Sequence, residues 1–226
     1  MSGDTRPVGW IRAARRTYAK FPEPVRDRVN AALTVAAEGG KADIAKPLRG
    51  FGSGVLEIAL RYRTGAYRVV YATEIAGTLW VLHAFEKKSM KGIRTPKREV
   101  DLVRARLARL RRGATAMSEK DIELVHGSGN VFRDFGDPQA DLKQAKAVLA
   151  ARIIVVLDDR GLAVRKAASL TGFAAADFSR IRNADLGRFT LDRLMKMLAA
   201  LDANARVTVK VDLSRSAPLP QPSQVR

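Results

Sequence analysis

Three apolar runs, rich in Val, Tyr, Leu and Trp, follow one another at residues 55–62, 67–73 and 79–85, with turns at Thr64-Gly65 and around Gly77. Turns this short join antiparallel neighbours, so the runs specify a three-stranded meander. Helical signals lie on both sides of it. Residues 8–11 are short, apolar and β-prone, a candidate first strand; residues 12–20 are helix-like until Pro22 stops them. Pro24 suits the first turn of a second helix. In that helix Val25, Val29, Ala32, Leu33 and Ala36 recur at helical spacing before Gly39-Gly40 ends it. Beyond the meander, Pro96 opens a helix with Val100, Val103, Leu107 and Leu110 on one face and Arg or Lys on most of the rest. The first 112 residues thus read as an α+β domain, with helices packed on a small antiparallel sheet.

The pattern changes near Gly113. Residues 113–140 hold Gly113, Gly127, Ser128, Gly129, Gly136 and Pro138 with weak periodicity, and they read as a linker. From there the chain is helical: residues 142–159, 162–170, 174–184 and 190–201, with a tight turn at Thr171-Gly172 and Thr190 as the cap of the last helix. Residues 205–213 alternate Val207, Val209 and Val211 with Thr208, Lys210 and Asp212, the pattern of a strand with one buried face. The Pro- and Ser-rich residues 214–226 are expected to be disordered. The second unit, residues 141–213, is therefore a mostly α domain with a C-terminal strand.

Charge indicates the partners. The net charge is +18, from 41 Lys+Arg against 23 Asp+Glu. It is uneven: residues 1–113 carry 24 basic and 10 acidic side chains, and residues 114–226 carry 17 and 13. So cationic a first half implies an acidic partner, above all nucleic acid, whose phosphates bind Lys and Arg by releasing counterions. A membrane surface would call for a basic amphipathic helix with a clean apolar face. No run of 18 apolar residues suggests a membrane span, and the first residues lack the layout of a secretory signal. With no cysteine there are no disulfides and no thiolate chemistry. The expected compartment is the cytoplasm.

The motifs around the meander carry a resemblance. They are Leu56-Glu57-Ile58, Tyr67-Arg68-Val69-Val70-Tyr71, the run Val81-Leu82-His83-Ala84-Phe85-Glu86-Lys87-Lys88-Ser89, then Gly92 and Thr95-Pro96, with Lys46-Pro47-Leu48-Arg49-Gly50-Phe51-Gly52 upstream. In this order they resemble the phage-derived branch of the RelE/HigB toxin superfamily over about residues 6–112. The resemblance implies an mRNA endonuclease acting on message in the ribosome, in which a 2′-hydroxyl attacks the neighbouring phosphate without a metal. The residues fit that chemistry. One His and ten scattered acids make a metal centre improbable and no cofactor is expected, whereas cations at strand ends suit an anionic phosphorane.

The candidate catalytic residues are Arg68, His83, Lys87, Lys88 and Glu57. Arg68 stands mid-strand among apolar residues, which suits a cleft or the sheet's solvent side. His83 titrates near neutral pH, yet a lone His in an apolar strand is also a common structural residue. Lys87 and Lys88 follow where the strand exits, as phosphate contacts or as a solvated end. Glu57 reads as a general base or as an ion-pair partner of Arg68 or Arg61. Arg61, Arg63, Tyr71 and Lys91 are candidate RNA contacts, the tyrosine as a stacking ring or a core residue.

Residues 128–212 carry a second resemblance, to the HigA-like branch of helix-turn-helix (XRE-type) antitoxins. It rests on Ser128-Gly129-Asn130-Val131-Phe132 with Asp134-Phe135-Gly136, Ala151-Arg152-Ile153-Ile154, Gly161-Leu162, Ala167-Ala168, Leu170, Gly172-Phe173, Phe178-Ser179 with Ile181, and Arg188-Phe189-Thr190-Leu191-Asp192-Arg193-Leu194. It implies operator binding through a recognition helix in the major groove, as a homodimer. Lys166, Ala175, Asp177, Ser179, Arg180, Arg182, Asn183 and Arg188 are the candidate DNA contacts. The start of that helix, Ala174-Ala175-Ala176-Asp177, departs from the polar residues usual there, because alanine makes no bidentate base contact and Asp repels phosphate. Together the resemblances imply a toxin fused to its antitoxin, with mRNA on the ribosome and operator DNA as partners. The nuclease would be restrained in cis until the linker is cut or the antitoxin unfolds. The alternative is a DNA-binding regulator whose toxin half is inactive or acts only as corepressor.

Overall fold

The computed structural model describes residues 5–52, 54–87, 95–113 and 123–208. An α+β domain comes first and a helical domain containing a helix-turn-helix follows. The elements run β1 (Val8–Ile11), α1 (Arg12–Tyr18), α2 (Glu23–Ala37), β2 (Ala45–Pro47), β3 (Val55–Tyr62), β4 (Gly65–Ile75), β5 (Thr78–Lys87), α3 (Lys97–Gly113), β6 (Leu124–His126), and α4 (Ala140–Asp159), α5 (Val164–Thr171), α6 (Ala175–Arg182) and α7 (Leu191–Leu201).

The meander is there, inside a six-stranded sheet of order β2-β3-β4-β5-β1-β6. β1 lies parallel to β5, with Trp10 opposite Val81, and every other pairing is antiparallel. Where β1 passes β5 the backbone comes so close that a Cβ on Gly9 would sit 2.4 Å from the Trp80 ring. Strand alternation gives the central strands two faces. Phe21, between α1 and α2, packs its ring 4.9 Å from Tyr67, so α1 and α2 cover the face that carries Tyr67 and Tyr71. The helix α3 lies over the other face, which carries Glu57, Arg68 and His83, and buries Val103, Leu107 and Leu110 there.

Of the expected linker, residues 114–122 lie outside the described residues, and residues 123–140 are packed on the first domain. After residue 122 the chain returns to the sheet as β6, pairing Leu124, Val125 and His126 with Ile11, Trp10 and Gly9. Phe135, in the 3₁₀ turn Arg133–Phe135, then packs edge-on against Trp10 at 5.0 Å and Tyr18 at 4.9 Å. Phe132 is buried as well. Of the glycines that suggested a linker, Gly113 closes α3, and Gly136, at φ +68°, ends the 3₁₀ turn of this strap.

The helical domain rests on α2 through α4. Lys143 bridges to Asp27 at 2.9 Å and to Asp137 at 2.7 Å, Arg152 meets Glu38 at 2.7 Å, and Thr34 donates to Gln144 at 3.1 Å. Arg28 donates to the Asn183 carbonyl at 3.0 Å, and the Asp43 amide donates to the Arg182 carbonyl at 2.6 Å. One hydrophobic core runs through both domains. Within the helical domain Gly172, at φ +76°, makes the turn between α5 and α6, Ala167 is the small buried residue beneath it, and Phe178 and Ile181 anchor α6. Thr190 caps α7, its hydroxyl accepting from the Arg193 amide at 3.2 Å. The expected C-terminal strand is not formed over residues 205–208, where Val207 is exposed; residues 209–213 and the expected tail lie outside the described residues. Among the described residues no helix is long and apolar enough to cross a membrane.

Candidate functional site

The face under α3 collects the polar groups of the central strands. Arg68 pairs across the sheet with Ala59 and Phe85, and Val70 with Glu57 and His83, so two adjacent rungs bring the candidates together. Arg68 is only 8% exposed, yet its guanidinium is ion-paired to Glu57, two residues along the neighbouring strand. The second carboxylate oxygen of Glu57 accepts from the Thr95 hydroxyl at 2.5 Å, which ties the entry to α3 down to the sheet. A buried charge in this position is tolerated only because it is paired.

The His83 cluster lies alongside. A bulge between Val70 and Tyr71 skips Leu82, and Arg106 of α3 donates to the Leu82 carbonyl at 2.9 Å. The same guanidinium nitrogen lies 2.9 Å from His83 Nδ1, while Nε2 lies 2.6 Å from Glu99. Arg106 has only donors, so Nδ1 accepts and Nε2–H donates to the carboxylate. The ring also stacks on Phe85 at 5.0 Å. Both nitrogens are thus engaged, which favours a positioning role over that of a free base.

Burial lowers the His83 pKa and the Arg106 charge lowers it further; the Glu99 hydrogen bond and charge oppose this without cancelling it. A histidine depressed in the folded state is protonated first in the unfolded chain. The stability it contributes is therefore complete above about pH 6.5 and is lost as the pH falls from there towards its folded pKa. The urea midpoint of the wild-type chain should accordingly drop further between pH 7.5 and pH 5.5 than that of His83→Gln. Equal drops would show that His83 is not depressed.

The remaining candidates divide. Arg61 and Lys87 both pair with Ala66, on the same face as Arg68 and one rung nearer the end of the strands; Arg61 is exposed and Lys87 half-buried. Arg63 sits in the β3–β4 turn at φ +52° with its guanidinium over the Tyr62 ring. Lys88 and Lys91 lie outside the described residues. Tyr71 is corrected: it pairs with Leu56 on the opposite face, 1% exposed, and burial raises its hydroxyl pKa. No base can stack there. Glu99, Thr95 and Arg106 were missed. The signal for two of them was present, since Glu99 and Arg106 fall at helical spacing with Val103 and Leu110, charged residues on the buried face of α3. Among the described residues no three His, Asp or Glu side chains converge as a metal site would require.

On the helical side Asp177 is ion-paired to Arg193 at 2.5 Å and to Arg180 at 3.3 Å, which offsets the repulsion expected at the start of α6. Arg182 is corrected: it is held by Asp158 at 2.6 Å and Asp43 at 3.5 Å, against the first domain. Asn183 folds back, its amide donating to the Ser179 carbonyl at 2.8 Å. Ala175 is half-buried, and Lys166, Ser179 and Arg188 remain exposed.

Two family models match the chain. Residues 17–108 match the phage-derived protein Gp49-like family, and residues 131–210 match a helix-turn-helix domain. The chain joins a Gp49-like domain to a helix-turn-helix domain. No curated protein and no solved structure matches it. The polar face under α3, with Arg68, Glu57 and His83, belongs to the Gp49-like domain. The helix-turn-helix domain is attached through α2, on the other side of the sheet.

Proposed function

We propose that the protein is a toxin–antitoxin fusion of the RelE/HigB and HigA type, and that its Gp49-like domain is a metal-independent mRNA endoribonuclease acting in the ribosome. The observation that carries this reading is the buried Arg68–Glu57 pair, set beside the His83 cluster on one strand face. In the proposed reaction the 2′-oxygen bonds to phosphorus, the bond to the 5′-oxygen breaks, and the leaving oxygen takes up a proton. A cyclic 2′,3′-phosphate and a 5′-hydroxyl result. Arg68 supplies positive charge where the phosphorane develops it, Arg61 and Lys87 hold neighbouring phosphates, and Glu57 orients Arg68 or takes the 2′ proton.

Restraint of the nuclease in cis is also a proposal. Among the described residues the helix-turn-helix domain is held on the side of the sheet away from the Arg68 face, so we attribute restraint to its bulk, which would slow entry to the ribosome without abolishing it. The working boundary between the units then falls between Gly136 and Ala140. The test is primer extension on message in a translating extract containing the full chain. Discrete cleavage with cyclic-phosphate ends, lost when the scissile nucleotide is 2′-deoxy, is expected. Uncut message alongside normal translation would overturn the reading.

Operator binding is the second part, supported by the exposed Lys166, Ser179 and Arg188 and by the neutralised Asp177. A dimer would set two α6 helices one DNA turn apart. A gel shift with the upstream DNA should be steeply salt-dependent and weakened by Arg188→Ala. Binding with no uncut-message deficit would favour the regulator alone.

A further inference from the structure

A cationic cleft lies between α1, α3 and Glu123 at the entry to β6. It has a volume of about 260 Å³ and is lined by Arg12, Arg16, Arg106, Arg109 and Glu123, with Ile11 at its base. The two arginines of α1 are one turn apart, and so are the two of α3, so each helix offers two guanidiniums to the same space. The protein balances little of this charge. Arg12 is paired to Glu123 at 3.1 Å, and Arg106 is engaged by Leu82 and His83. Arg16 and Arg109 are exposed and have no ion pair among the described residues. Four like charges around one concavity focus a positive potential.

An anion already occupies part of the cleft. The Glu123 carboxylate meets both Arg12 Nε and Nη1, the latter at 3.2 Å, and the Arg12 amide holds the Glu123 carbonyl at 2.8 Å. A carboxylate oxygen that accepts from a guanidinium stands where a phosphodiester oxygen would accept as well. Arg106 is common to this cleft and to the His83 cluster, so the two sites adjoin through one side chain.

We propose that Arg12, Arg16, Arg106 and Arg109 bind the phosphodiester backbone of single-stranded RNA, and that the Glu123 carboxylate stands where a phosphate binds at Arg12 and competes with it. Through Arg106 the site adjoins the candidate nuclease face under α3. It rests on the nuclease reading only for the identity of the strand as RNA.

The test uses the full chain and a fluorescent 2′-O-methyl RNA 12-mer, which cannot be cleaved, followed by anisotropy over a salt series. Arg16→Ala/Arg109→Ala is expected to weaken binding by about tenfold or more at low salt and to flatten the salt slope by about 1.4, two phosphate contacts at about 0.7 each. Glu123→Gln is expected to tighten binding about threefold. Unchanged affinity and slope in the double variant overturn the site. If that variant fails to fold, Glu123→Gln decides, and unchanged or weaker binding overturns the proposal. An equal loss for duplex DNA of the same length would make the cleft a DNA surface and overturn it too. Failure of the nuclease reading is distinct: message left uncut by the wild type, with the 12-mer still weakened by the double variant, leaves this site standing.

Discussion

Replacing Arg68 with alanine is expected to reduce message cleavage by about 10²–10³-fold, the usual cost of removing one group that stabilises transition-state charge. The same change should destabilise the fold by about 3 kcal/mol, because it leaves the largely buried Glu57 carboxylate with Thr95 as its remaining partner among the described residues. The two effects must be told apart, since a chain that unfolds also loses activity. The variant Arg68→Met/Glu57→Met does this. Removing both members of a buried pair costs little, and often nothing, when the replacements fill the space. Its unfolding free energy in urea should therefore return to within about 1 kcal/mol of wild type, while cleavage stays as low as in Arg68→Ala. Cleavage restored along with stability would mean that the pair only holds the strands together.

That prediction rests on strand geometry that was partly legible. Arg68 stood out as a charge among apolar residues, and three short-turned runs placed it in a sheet. Alternation along β4 also separates Arg68 from Tyr71, three residues on and so on the opposite face. Tyr71 could therefore have been assigned to the core from the strand pattern alone. The four helices of the second domain were equally visible, because their apolar spacing, the Gly172 turn and the Thr190 cap are local signals. Other features depend on partners distant in sequence. β2 and β6 have only three residues each, too few to show a period. The parallel contact of β1 with β5 joins residues about seventy positions apart. Arg182 looked like a DNA contact because nothing near it in sequence shows that Asp43 lies beside it. Lys143 likewise gave no sign that it bridges α4 to Asp27 of α2.

The largest revision concerns residues 113–140, and it changes what cutting the chain should do. With a plain linker there, one cut would separate nuclease from antitoxin and release activity. In the structure the chain from residue 123 through α4 is bound back to the first domain, by β6 along β1, by Phe135 against Trp10 and Tyr18, and by α4 along α2. Burying one phenylalanine such as Phe132 is worth about 2 kcal/mol, and micromolar association requires about 8 kcal/mol. The strap and the helix pair bury Phe132, Val131, Leu149 and Ile153 among others, and together are expected to exceed that. A protease site inserted between Gly113 and Glu123 and then cleaved should leave the two fragments co-eluting on gel filtration at micromolar concentration. Message cleavage by the nicked protein should stay within about twofold of the intact chain, since the fragments remain docked. Carrying Phe135→Ala and Trp10→Ala in the nicked protein should let the fragments separate, each truncation removing about 3 kcal/mol of packing. Separation of the nicked wild type, with a tenfold or greater rise in cleavage, would restore the linker as the point of control. Fragments that stay together instead place control of the nuclease at the α2–α4 junction, where Lys143, Arg152 and Arg28 hold the second domain and where a change that loosens the junction would have to act.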